Sequence, residues 1–138
     1  KMKIIVTILA TAMMLTGSLI SSKKTTITAT VVNVSSSKGK VSFALHNKTS
    51  FMKEPLQAKT AEIIDGKSTV FFEGLEPGEY AIICLHDKNE NNKMDLAPSG
   101  MPLEDYGASN NVMNFGPPTF SDSKFTVADK DLTLEIKF

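Results

Sequence analysis

Asp87, Asn89, Asn91 and Asp95 occupy positions 1, 3, 5 and 9 of the run Asp87-Lys88-Asn89-Glu90-Asn91-Asn92-Lys93-Met94-Asp95. A tightly curled loop turns alternate side chains inward, and an oxygen-only set at this spacing suits a hard cation. Calcium takes six to eight oxygens at about 2.3–2.6 Å. Lys93, at position 7, needs to offer only its main-chain carbonyl, leaving its ammonium to solvent. The expected metal set is therefore Asp87, Asn89, Asn91, Lys93 and Asp95, with calcium as the expected cofactor. The run is not an EF-hand. Asn92 stands where a glycine is wanted, and Pro98 stands where a bidentate glutamate would close the shell. Asparagine accepts left-handed backbone better than most residues, so the turn can still form. Glu104 or Asp105 is expected to supply the missing ligand. Two carboxylates with neutral amide oxygens predict weak binding, in the range of about 10⁻⁴–10⁻³ M typical of extracellular calcium modules. The plainer alternative is an Asx-rich turn without metal, since Asp and Asn stabilise turns by bonding their own backbone.

Other residues could also do chemistry. His86 directly precedes Asp87, and His46 is the only other histidine. Two imidazoles without a third ligand at motif spacing make a poor zinc or copper site, and neither falls into a nucleophile arrangement with Ser or Cys. A structural histidine at a strand end is the simpler reading of His86. Glu104 and Asp105 are adjacent carboxylates of the kind that can do acid–base work. A hydrolase built on the 86–105 loop is therefore the alternative to a binding or structural module. His86, Tyr106, Asn110 and Asn111 are expected on the loop surface. Met94, Met101 and Met113, with Tyr106, Phe115 and Phe120, either pin the loop to the body of the domain or offer a contact surface. Cys84, the lone cysteine, lies in the apolar run AIICLH and reads as a buried thiol.

The elements that must position these residues are strands. Residues 25–34 alternate Ile27, Ala29 and Val31 with Thr26, Thr28 and Thr30, and residues 40–47 alternate Val41, Phe43 and Leu45 with polar or small neighbours. Residues 59–65 end at Asp65-Gly66, a hairpin signal, before a strand at 68–75. Residues 79–87 are apolar on both faces, as in a central strand covered on each side. Residues 88–120 lose all periodicity, and strands resume at 123–128 and 132–138. About seven strands and no long helix predict an all-β, antiparallel two-sheet sandwich with one long loop at 87–120. Such loops are uncommon in compact domains and are usually functional or disordered.

Residues 1–22 read as a signal peptide. Lys1 and Lys3 precede an apolar stretch at 4–15, and small polar residues follow. The stretch is shorter than the roughly 20 residues a membrane-spanning helix needs, so no transmembrane anchor is expected after cleavage. The expected product is an exported, periplasmic or extracellular domain at 23–138. All fifteen basic residues are lysines, balanced by fifteen acids. Without arginine forks or a basic excess, nucleic-acid binding is excluded. A cell-envelope protein, a peptide or a glycan is the expected partner.

The stretch Phe72-Glu73-Gly74-Leu75-Glu76-Pro77-Gly78-Glu79-Tyr80-Ala81 precedes His86-Asp87-Lys88-Asn89 and Asp95. Later pieces are Gly100-Met101-Pro102, Glu104, Tyr106-Gly107, Ser109-Asn110-Asn111, Gly116-Pro117-Pro118 and Phe120. In this combination the chain resembles the bacterial exported family catalogued as domain of unknown function 2141. The resemblance covers nearly all of 23–138 and implies a transthyretin-like (prealbumin-like) sandwich with a metal-type loop carried by Asp87, Asn89, Asn91 and Asp95. It implies no established activity. The chain departs from that pattern at Asn92, where glycine is usual, and at Ala108, where an aromatic is common.

Overall fold

The computed structural model describes residues 23–138; the expected signal peptide at 1–22 lies outside the described residues. Among the described residues, eight strands form two packed sheets. β1 (Thr25–Val31) lies between β4 (Ser68–Leu75) and β8 (Leu132–Ile136) in the smaller sheet. The larger sheet runs β3 (Gln57–Ala61), β2 (Lys40–His46), β5 (Gly78–Asp87), β6 (Tyr106–Ala108), with β7 (Phe125–Val127) also paired to β5. The expected alternation holds: Ile27, Ala29 and Val31 on β1 meet Val41, Phe43 and Leu45 on β2 in one core, with Phe72 and Ile82. Each enclosed phenylalanine or isoleucine contributes about 1.5–3 kcal/mol by leaving water.

Three features depart from the sequence expectation. β1 and β8 pair in parallel, while the other strand pairs are antiparallel. The chain changes sheets between β7 and β8, and this crossing is tied to the start of β1. Thr25 donates its hydroxyl to the Ala128 carbonyl at 3.1 Å, and Thr26 N–H donates to Asp131 Oδ1 at 2.9 Å. Second, β5 is central but not covered on both faces. Ile82 and Cys84 join the core, whereas Ile83 and Leu85 on the outward face are only half-buried. Third, the long loop is not structureless. It contains β6, a 3-10 turn at Ser109–Asn111 and a short helix α1 (Phe120–Ser123). Ser109 is buried, takes a hydrogen bond from Ile82 N–H at 3.0 Å and donates to the Ser123 carbonyl, binding the loop to β5.

Candidate functional site

The site grows from the end of β5. Asp87 pairs in register with Lys40 on β2, and the turn before β2 presses Gly39 onto the Asp87 carbonyl. Asp87 is only 2 % exposed. Its Oδ1 accepts from Asn91 N–H at 3.1 Å and its Oδ2 from Asn92 N–H at 2.7 Å, so the carboxylate nucleates the curl of the loop. Glu90 and Asn92 sit at φ 56° and 63°, and Asn92 adopts the left-handed turn expected of it. Asn89 Oδ1 accepts from Asn91 N–H at 3.2 Å, and Asn91 Oδ1 from Lys93 N–H at 3.1 Å. The side-chain amides of Asn89 and Asn91 both donate to the Asp95 carboxylate, at 2.5 and 2.7 Å. Four of the five expected ligand residues are thus linked through side chains. The fifth, Lys93, has its side chain in solvent as expected.

Glu104 closes the loop. It is 6 % exposed, with Oε1 accepting from Lys88 N–H at 2.9 Å and Oε2 from Asp95 N–H at 3.2 Å. Asp105 turns the other way. Its Oδ2 accepts from Ser35 Oγ at 2.7 Å and lies 3.4 Å from Lys88 Nζ. The Ser35 hydroxyl holds the Asp105 carboxyl below the ordinary aspartate value; burial, the next-largest influence, opposes it, and Lys88 and His86 add smaller lowering effects. A depressed folded-state pKa stabilises the fold above the unfolded-state value and loses that contribution as pH falls through the folded value. Ser35→Ala is expected to move the Asp105 titration upward in carbon-detected NMR; an unmoved titration would assign the depression to Lys88 instead.

His86 corrects the expectation of a loop-surface residue. Strand alternation puts it on the inward face of β5 with Ile82 and Cys84, and it is 0 % exposed. Its Nε2 lies 2.7 Å from the Lys38 carbonyl, and its ring stacks on Phe138 with centroids 6.2 Å apart. Because a carbonyl can only accept, Nε2 carries the hydrogen. Nδ1 is left without a hydrogen-bond partner, 3.7 Å from Asp105 Oδ2. Asn110 and Asn111 are at the surface, but their amides brace the backbone. Asn110 donates to the Asp122 and Lys124 carbonyls, and Asn111 bonds the Glu135 carbonyl and Lys137 N–H along β8. Tyr106 is half-buried beside a cavity of about 270 Å³ shared with Asn33, Asn111, Met113, Lys137 and Phe138. Met101, Met113 and Phe115 are exposed, whereas Phe120 packs edge-on against Phe51. Cys84 is buried as expected, and burial pushes its thiol up.

The turn at Gly39 is readable from the sequence, but its close approach to Asp87 is not, nor are the Ser35–Asp105 and Ser109–Ile82 bonds, which join residues 27 to 70 positions apart. Among the described residues, no group of three His, Cys, Asp or Glu side chains is arranged to hold a metal. Any cation here would depend on asparagine and main-chain oxygens as well. The carboxylates of Asp87, Asp95 and Glu104 have no lysine within 4.0 Å among the described residues; the nearby Lys40 pairs with Glu62 and Glu90, and Lys88 with Asp105.

Residues 29–135 match the family described as "Uncharacterized protein conserved in bacteria (DUF2141)". The chain belongs to this family. The DUF2141 match takes in every strand from β2 to β7 and the whole loop, so the site lies inside the family region. No curated protein matches the chain. Among solved structures, it is similar to a mutant of the pilus-presented adhesin Spy0125 (Cpa), at 16 % identity and a TM-score of 0.25. That similarity covers 87 % of this chain and only 27 % of the adhesin chain.

Proposed function

We propose that this DUF2141 chain is an exported binding or structural module of the cell envelope whose 87–95 loop takes up calcium. The carrying observation is one loop that draws Asp87, Asn89, Asn91 and Asp95 together, its two carboxylates met by N–H donors and by no ammonium. Desolvated negative charge without a cationic partner is costly, and a divalent ion would offset it. Asn89 and Asn91 would rotate their amides to turn oxygen rather than nitrogen toward the ion. The bound loop would hold the 87–120 segment in shape for an envelope protein, a peptide or a glycan. Export is read from the basic, apolar and small-residue succession at 1–22. The hydrolase alternative finds no support in the enclosed His86 or in Glu104, whose two oxygens are both engaged.

Thermal melting in calcium against EDTA tests the proposal. At a dissociation constant of about 10⁻⁴–10⁻³ M, about 10 mM calcium stabilises the folded state by roughly 1.4–2.7 kcal/mol. The midpoint should rise with calcium concentration, and Asp95→Ala should abolish the rise. An unchanged midpoint at that concentration would sink the calcium reading.

A further inference from the structure

The cavity of about 270 Å³ beside Tyr106 runs along the free edge of β6, and all three β6 residues line it. β6 ends the larger sheet and pairs with β5 on one side only. Bonded and non-bonded pairs alternate along an antiparallel ladder. His86 N–H donates to the Asp105 carbonyl at 2.8 Å, so Gly107, in register with Cys84, is the next residue bonded to β5. Tyr106 and Ala108 turn their N–H and C=O groups the other way, into the cavity. Among the described residues these groups have no backbone partner. The neighbouring end of β8 is treated differently. The Asn111 amide bonds the Glu135 carbonyl at 2.9 Å and Lys137 N–H at 2.8 Å, and the Asn33 amide bonds the Phe138 carbonyl at 3.0 Å and its N–H at 2.9 Å. Two asparagines thus stand in for a strand there, and the β6 edge has no such cover.

We propose that the β6 edge takes an extended peptide segment of a partner protein as an added strand. This rests on the reading of the chain as a binding module and needs no calcium. What an open strand edge presents is a row of main-chain donors and acceptors, and its complement is another extended main chain. Such a chain repeats its N–H and C=O every second residue, as Tyr106 and Ala108 do, so it pairs with both. A sugar ring has no such repeat. The surrounding side chains decide which peptide fits. Tyr106 lies opposite Leu85 and Ala108 opposite Ile83, on the outward face of the sheet, where Ile83 and Leu85 are half-buried. A residue paired with Tyr106 or Ala108 shares that face. Val112, Met113 and Pro118 line the same cavity. The fitting segment therefore carries apolar side chains at alternate positions. A second copy of this chain fits less well, because an edge of three residues gives too little contact for a stable dimer.

Amide NMR of the full chain with the probe peptide acetyl-Ser-Val-Thr-Val-Ser-amide tests this. Before peptide is added, the Tyr106 and Ala108 amides should exchange with water much faster than that of Gly107. Protection of the pair at this stage overturns the proposal; if it grows with protein concentration, the occupant is a second copy. Peptide at about 1 mM, the range suited to so short an edge, should shift and protect both amides. An unmoved pair overturns the proposal. Two analogues, N-methylated at alternate nitrogens in opposite frames, keep the side chains and block one edge of the peptide each. The analogue whose blocked edge meets β6 should bind at least about tenfold more weakly, and the other should bind as the parent does. Equal binding by the two overturns strand addition and leaves a cavity that reads side chains alone. Binding that persists in EDTA supports the added strand even if the calcium reading fails. A calcium-raised melting midpoint without peptide binding overturns the added strand and leaves the calcium reading intact.

Discussion

Gly39→Ala is expected to cost the domain about 3 kcal/mol and to displace the first residue of the candidate metal loop. Gly39 sits at φ +70°, and an added Cβ would lie 2.0 Å from the Asp87 carbonyl oxygen and 2.7 Å from Lys88 Cα. The left-handed backbone alone costs an L-residue about 1–2 kcal/mol. The clash is with main chain, not with a side chain that can swing aside, and overpacking of this kind adds about 1–3 kcal/mol. The displacement cannot stay local. Lys40 is in register with Asp87, and the Lys38 carbonyl takes the His86 Nε2 bond, so both ends of the turn pull on the same two residues. Gly100→Ala is the control, since Gly100 has φ +84° with nothing within 4 Å. It should lose only the conformational part, about 1 kcal/mol. Urea denaturation separates the two, and equal losses would show that the close approach at Asp87 carries no cost.

The contrast between Gly39 and the strands shows what was legible in the sequence. Period-two alternation in β1 and β2 reports directly which side chains face the core, because each strand carries its own pattern. The Asx spacing at 87–95 was equally readable, because Asp87, Asn89 and Asn91 bond backbone two to five residues away. His86 was half legible. It sits at a strand end as read, yet its parity with Ile82 and Cys84 already pointed inward and away from the loop surface. What stayed hidden depends on distant chain. The parallel pairing of β1 with β8 joins residues more than a hundred positions apart. β6 is three residues long, too short for a periodic signal. The opposite turns of Glu104 and Asp105 are set by Lys88 and Asp95 N–H on one side and by Ser35 on the other. Adjacent carboxylates look equivalent as ligands in a sequence; here one closes the loop and the other ties it to the turn after β1.

Glu104→Ala should lower stability by about 2–4 kcal/mol, because two N–H groups lose one buried acceptor together. Those groups belong to Lys88, the first residue after β5, and to Asp95, the last of the metal run, so the carboxylate staples the two ends of the loop. Glu104→Gln should recover little. An amide keeps one acceptor oxygen but sets an NH₂ group against the other N–H donor. Hydrogen exchange distinguishes a staple from general destabilisation: the Lys88 and Asp95 amides should exchange much faster in both variants, while those of β1 and β2 keep their ranking. Full stability in Glu104→Gln would show that only one of the two bonds matters. The same variant also decides between closing the loop and ligating metal. The proposed calcium shell is Asp87, Asn89, Asn91, Lys93 and Asp95, without Glu104. The calcium-dependent rise in melting midpoint should therefore persist in Glu104→Gln, from a lower baseline. If the rise vanishes there as it does in Asp95→Ala, Glu104 is itself a ligand, and the loop must open its own staple to bind the ion.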